Sequence, residues 1–315
     1  MVTTSEDAFS TAIEPFRREL HIHAYRMLGS FEEAEDVVQE TLLRAWRSQD
    51  GLAEHSNLRA WLYRIATNVS LDAIRRSKRR PPGPSLDSIG EISWLQPYPD
   101  RLLDEIGPPE TQPDQVVVAR ETIELAFLAA IQLLPPRQRA VLILRDVLDW
   151  SARETAGLLD MTVAGVNSAL QRARATLEAN RPHGRTGRPP VAPTPEELAL
   201  LARSIEAHER ADAVGMAEML REDVRIAMPP LPYWFNGKAI FVPGLQAGLG
   251  DPGEWRLLPT RANRLPASAS YLRAHGDTEF RAFKLDVIRV EDGLVAEITT
   301  FGPELFSAFG LPETV

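Results

Sequence analysis

Residues 34–46 read Ala34-Glu35-Asp36-Val37-Val38-Gln39-Glu40-Thr41-Leu42-Leu43-Arg44-Ala45-Trp46, and the periodicity of this stretch decides how the chain is built. Val37, Val38, Thr41, Leu42, Ala45 and Trp46 recur at helical spacing and predict one buried stripe. Asp36, Gln39, Glu40 and Leu43 stand at i, i+3, i+4 and i+7, so two carboxylates, an amide and an apolar knob share the opposite face. Such a face is either a solvated acidic surface or a docking surface for a basic partner. A second amphipathic helix follows in Leu58, Trp61, Leu62, Ile65 and Val69, with Ser56 or Asn57 as its cap. Its polar face, Tyr63, Arg64, Thr67, Asn68 and Asp72, runs into Arg75, Arg76, Lys78, Arg79 and Arg80, and Pro81 ends it. One or two of these cations would complement a helix dipole. A cluster of this density points instead to phosphate contacts, and Trp61, Tyr63 and Asn68 offer rings and an amide to unpaired bases.

Further along, Leu134-Pro135-Pro136 precedes a helical pattern from Arg137 to Leu148, and Ser151-Ala152-Arg153-Glu154 reads as a capping box. A turn is expected at Asp160-Met161. Thr162 then caps a helix whose buried side is Val166, Ala169, Leu170, Ala173 and Leu177. Two short helices joined by a tight turn make a helix-turn-helix, with a plain helical hairpin as the alternative. The face opposite the core holds Ala164, Ser168, Gln171 and Arg172, flanked by Asn167 and Arg174: small residues first, then donors for base edges and phosphates.

The chain has 315 residues, 44% hydrophobic and 25% charged, which places it among folded proteins of two or three domains. With no cysteine, disulfides, thiolate nucleophiles and cysteine-ligated metals are excluded, and no metal or cofactor is expected. The net charge of −9 argues against nucleic acid only on average, because Glu32, Glu33, Glu35, Asp36 and Glu40 form one pole and the arginine cluster at 75–80 the other. No apolar run approaches the ~20 residues of a membrane span, and the first residues lack a secretory pattern, so a cytoplasmic protein is expected. Two proline clusters mark linkers. They divide the chain into 1–80, an acidic linker 81–113, 114–181, a linker 182–195, and 196–315, whose end alternates as strands do over Phe280 to Val290 and Leu294 to Phe301.

Together, Ala34 to Leu42, then Trp61-Leu62-Tyr63-Arg64-Ile65-Ala66-Thr67-Asn68 with Asp72 and Arg75-Arg76, then Leu134-Pro135 and the Ala164 to Leu177 helix closely resemble an extracytoplasmic-function (ECF) sigma factor of the sigma-70 family. Leu42 stands where many members carry Phe. The resemblance implies two all-α domains, region 2 (1–80) and region 4 (114–181). It implies that Asp36, Gln39, Glu40 and Leu43 dock on the beta-prime clamp helices of RNA polymerase core, whose beta subunit is also a partner. It further implies that His55, Asn57, Trp61, Tyr63, Arg64, Asn68, Arg75, Arg76, Lys78, Arg79 and Arg80 capture and melt the minus-ten element of promoter DNA. The minus-thirty-five element falls to Ala164, Asn167, Ser168, Gln171, Arg172 and Arg174.

Residues 196–315 resemble a SnoaL-like domain, an α+β cone-shaped barrel around a pocket. In sigma factors that carry one it implies regulation, with a small-molecule ligand for the pocket, and Trp94, Leu95, Pro97 and Tyr98 resemble the linker of such fusions, departing from its Trp-Leu-Pro form. The apolar run Met228 to Phe235 suits a pocket wall, a docking surface or a packed loop. The competing reading is a cyclase- or isomerase-like enzyme with an N-terminal DNA anchor, drawing on His208, His275, Asp277, Glu279 and Asp286. None of these pairs has diagnostic spacing, and His208-Glu209 is expected on a solvated helix face, so no catalytic residue is assigned.

Overall fold

The structure, a computed structural model, describes residues 5–49, 57–77, 88–104, 123–180, 192–250 and 253–315. They fall into two compact units, one drawn from 1–86 and 106–185, the other from 87–105 and 186–315.

The first unit is helical. It opens with α1 (Ser5–Ile13), α2 (Arg17–Leu28), α3 (Phe31–Arg47) and α4 (Leu58–Arg76). Ser30 accepts a hydrogen bond from the Glu33 amide and Asn57 from the Ala60 amide, so side-chain caps start α3 and α4. Gly29, at φ +73°, reverses the chain between α2 and α3, a turn that favours glycine. α2 is the central element, buried from Leu20 to Leu28 and packed against both α3 and α4. The second helical piece contributes α5 (Leu125–Gln132), α6 (Pro136–Leu142) with a π-helical extension Ile143–Val147, α7 (Ala152–Leu159) and α8 (Val163–Ala179). The Ser151/Glu154 capping box forms, Asp160 turns the chain at φ +50°, and Thr162 accepts from the Gly165 amide. This is the expected helix-turn-helix.

The two helical pieces share one unit instead of standing apart. Buried Arg139 of α6 donates to the carbonyls of Met27, Gln132 and Leu134 and to the Gln132 side chain, which ties α2 to the α5–α6 corner.

Burial also fixes the acid response of this unit. His23 is fully enclosed, with Nε2 2.9 Å from Thr67 Oγ1, and burial, reinforced by the charges of Arg26 and Arg59, pushes its pKa down to about 3. The unfolded chain therefore binds the proton more readily, and stability falls as pH drops below the ordinary value of about 6.5. Near pH 5 His23 alone should cost about 2 kcal/mol. Thermal unfolding of wild type and His23→Gln between neutral pH and pH 5 checks this: the midpoint should fall less in the variant, and equal falls would contradict the assignment.

The second unit carries six strands, β1 (Leu220–Ala227), β2 (Trp234–Asn236), β3 (Gly253–Ala262), β4 (Leu265–Ala274), β5 (Arg281–Glu291) and β6 (Leu294–Phe301). They form one sheet in the order β2-β1-β6-β5-β4-β3, with β1 and β6 parallel and the other pairs antiparallel. The sheet is open, with β2 and β3 as its edges, so the cone is not a closed barrel. Helix α9 (Pro195–Glu209) starts at a Thr194/Glu197 capping box and places Leu200, Leu201 and Ala207 against Val224, Ile226, Ile288 and Val295 of the sheet. α10 (Ala213–Glu218), α11 (Lys238–Gly250), α12 (Phe306–Phe309) and a short helix at Asp100–Asp104 belong to the same unit.

Candidate functional site

On α3 the sequence face survives folding. Asp36, Gln39 and Leu43 are exposed and Glu40 is half-buried, while Val37, Val38, Thr41 and Ala45 are buried. Glu40 Oε1 accepts from Arg44 Nε at 2.6 Å, which fixes its carboxylate at the middle of the face. Trp46 is a correction: expected in the buried stripe, it is 42% exposed. At about 100° per residue it falls about 20° from Gln39, so it extends the exposed face beside Leu43.

On α4, Asn68, Arg75 and Arg76 are exposed and Arg64 is half-buried. Trp61 is 7% exposed, as its place in the apolar stripe predicts, and Tyr63, expected on the polar face, is a correction at 1% exposed. Trp61 meets Phe9 edge-on, and Tyr63 is enclosed by His23, Arg59 and Trp150, so neither ring offers a face to a base here. Arg64 Nη2 lies 3.3 Å from Asp160 Oδ1, so the helix-turn-helix sits against this part of α4. Arg75 pairs with Asp72, and Asn57 spends its side chain on the cap. His55, Lys78, Arg79 and Arg80 lie outside the described residues.

On α8, Ala164, Asn167, Ser168, Gln171, Arg172 and Arg174 are all exposed, and Val166, Ala169, Leu170 and Ala173 are buried. Arg174 is held by a two-pronged pair with Asp146, at 2.7 and 2.9 Å. Arg172 has no such partner among the described residues.

In the second unit, 88–104 is built into the fold instead of spanning a gap. Leu95, Pro97 and Tyr98 are buried, and Trp94 is half-buried. The segment clasps the β3–β4 hairpin, whose two-residue turn, Asn263 and Arg264, takes φ +54° and +64°. A bulky residue at positive φ is strained, and here hydrogen bonds offset the cost. Tyr98 N donates to Asn263 Oδ1, Asn263 N to the Tyr98 carbonyl, and Arg264 N to Asp100 Oδ1. Asp100 and Arg264 are 1% and 4% exposed on their side chains, with their charges 3.6 Å apart. Arg264 Nη1 also donates to Asp104, so Asp100→Ala leaves the guanidinium partly paired and costs the Arg264 amide its acceptor, about 2 kcal/mol in all. Asp100→Ala should therefore speed hydrogen exchange over 253–274 by about thirtyfold. Unchanged protection there would make the clasp incidental.

The same unit encloses a cavity of about 760 Å³. Met228, Pro229, Pro230, Leu231 and Phe235 of the apolar run line it, while Tyr233 and Trp234 of the same run are exposed. His208 is a further correction: it is 5% exposed and borders this cavity, as does Asp286, instead of facing solvent. His275, Asp277 and Glu279 are exposed in the β4–β5 connection. No group of metal-binding residues and no helix long and apolar enough to cross a membrane occurs among the described residues.

A helical unit with an acidic helix face, a basic helix end and a helix-turn-helix fits the sigma-70 class, and the comparisons agree. Residues 12–80 match Sigma-70 region 2, and residues 124–177 match Sigma-70, region 4. ECF RNA polymerase sigma factor SigG of Mycobacterium tuberculosis is 43% identical over 321 residues, covering 98% of this chain and 85% of that protein. The chain belongs to the ECF RNA polymerase sigma factors. SigW of Bacillus subtilis, another such factor, is 31% identical over 173 residues, covering 55% of this chain and 88% of the relative. The crystal structure of the Mycobacterium tuberculosis extracytoplasmic function sigma factor SigJ shares the fold over 96% of this chain and 99% of that one, with a TM-score of 0.62 at 21% identity.

Proposed function

We propose that this sigma factor docks on core RNA polymerase through Asp36, Gln39, Glu40, Leu43 and Trp46, reads the minus-ten element with Asn68, Arg64 and the basic end of α4, and reads the minus-thirty-five element with α8. The observation that carries this is the segregation on α3, where carboxylates and two large apolar side chains share one exposed face while its other side is core. It works in the cytoplasm with polymerase and promoter DNA, and catalyses nothing itself. The cavity domain regulates it through a small molecule, and the clasped segment 88–104 is the part of the connection through which that domain acts.

The α8 assignment separates base reading from backbone binding. Gln171→Ala and Ser168→Ala should change sequence preference, each by about 1–3 kcal/mol at one promoter position. Arg172→Ala should weaken binding to every sequence and lower the salt slope by about one. Promoter transcription at several salt concentrations measures both, and variants with neither effect would displace the recognition helix from α8.

The closed first unit carries a consequence for activation. Minus-ten and minus-thirty-five elements lie about 25 base pairs apart, about 85 Å along B-DNA. A compact unit of roughly 150 residues has a radius of gyration near 15 Å, too small for that reach. The Arg64–Asp160 and Tyr63–Trp150 contacts must therefore open before both elements are read.

A further inference from the structure

Among the described residues of the helix-turn-helix, Val163 is the large apolar side chain left at the surface. It starts α8 and is 45% exposed, while Val166, three positions on, lies in the core. At about 100° per residue Val163 stands about 20° from Arg174 and about 40° from Asn167, at the margin of the exposed face. Its neighbours offer a base edge little by way of hydrogen bonds. Thr162 Oγ1 accepts from the Gly165 amide at 3.0 Å and is fixed as the cap. Ala164 and Gly165 carry no hydrogen-bonding side chain, so such groups begin only at Asn167, a full turn into the helix. A recognition helix meets base edges with its N-terminal residues, so α8 enters the groove with its apolar end first. Ala164 and Gly165 are also small, which lets the helix start come close enough for the valine methyls to touch the bases. In the major groove the base pairs present one apolar feature, the C5-methyl group of thymine.

We infer that Val163 is a specificity-determining residue, packing against the methyl group of one thymine in the minus-thirty-five element. The contact buries apolar surface from both sides, which is its source of affinity. It also discriminates. Cytosine would bring its N4 amino donor, and a purine its N7 acceptor, against a side chain that can pair with neither. Uracil keeps the O4 acceptor and the base pairing of thymine and lacks the methyl alone, so it isolates the contact. The inference rests on the assignment of α8 to the minus-thirty-five element, and its test tells the two apart.

Holoenzyme reconstituted from core RNA polymerase and the full-length protein is titrated, in competition, with synthetic unmethylated promoter DNA in which each thymine of the minus-thirty-five element is replaced singly by deoxyuridine. One replacement should weaken binding by about fourfold, the worth of about one buried methyl group, and the others should not. In Val163→Ala that same replacement should matter by less than about twofold. Val163→Asn should instead accept adenine at that position, because an amide side chain pairs with its N6 and N7. Both variants change a side chain outside the core, so the helix stays folded. No thymine sensitive to the loss of its methyl, or a sensitivity that Val163→Ala leaves at full size, would overturn the inference. If Gln171→Ala still shifts sequence preference, either result removes Val163 alone and keeps α8 as the reading helix; if Gln171→Ala changes nothing as well, the assignment of α8 falls with it.

Discussion

Asp36→Arg combined with Glu40→Arg is expected to weaken binding to core RNA polymerase by at least about a hundredfold while the helical unit stays folded. Neither Asp36 nor Glu40 belongs to the core of α3, and at position 40 the variant exchanges the Glu40–Arg44 ion pair for a like-charge pair one turn apart, each worth a few tenths of a kcal/mol. Against a basic partner surface each reversal converts attraction into repulsion, and losses of about 2–5 kcal/mol are usual when one side of an interfacial charge pair is removed. Trp46→Ala tests the apolar end of the same face, where an exposed tryptophan that becomes buried on docking is worth about 2 kcal/mol. Affinity for core measured by fluorescence anisotropy, with circular dichroism as the folding check, decides the point: undiminished affinity of the folded double variant would remove α3 from the interface.

Locking the first unit shut is expected to abolish promoter transcription. The chain has no cysteine, so Arg64→Cys with Asp160→Cys introduces the only two thiols, at positions whose native side chains touch. A short bis-methanethiosulfonate cross-linker should leave the α3 face free and core binding intact, yet prevent α8 and α4 from separating. Dithiothreitol should restore activity in the same protein, so the loss of Arg64 and Asp160 themselves cancels from the comparison. Full transcription by the cross-linked form would mean that the contact is compatible with promoter reading.

These expectations show where sequence reasoning reached and where it stopped. The caps at Ser151 and Thr162 and the faces of α3 and α8 were legible because each depends on residues three or four apart on one helix. Trp46 was legible in principle, since the same angular arithmetic that groups Asp36 with Gln39 puts it there; the assumption that tryptophan is core hid it. Tyr63 lies inward for a reason no local pattern holds: Trp150, 87 positions later, covers it. The burial of His208, whose helix face was expected to be solvated, went unseen for the same reason, because only the fold brings Trp255 and Asp286 to its side of α9. The clasp left a faint signal in Asn263-Arg264, a two-residue turn between strand patterns, but nothing local announces that Asp100 and Tyr98 close over it.

If this chain directs core RNA polymerase to promoters through two reading surfaces on one helical unit, in vitro transcription by purified core polymerase on a genomic DNA library, with and without the full-length protein and followed by mapping of the 5′ ends, reads it out. New start sites that share minus-ten and minus-thirty-five sequences are expected, vanishing with the Asp36→Arg, Glu40→Arg protein and shifting in sequence with Gln171→Ala. Start sites identical to those of core alone would contradict it.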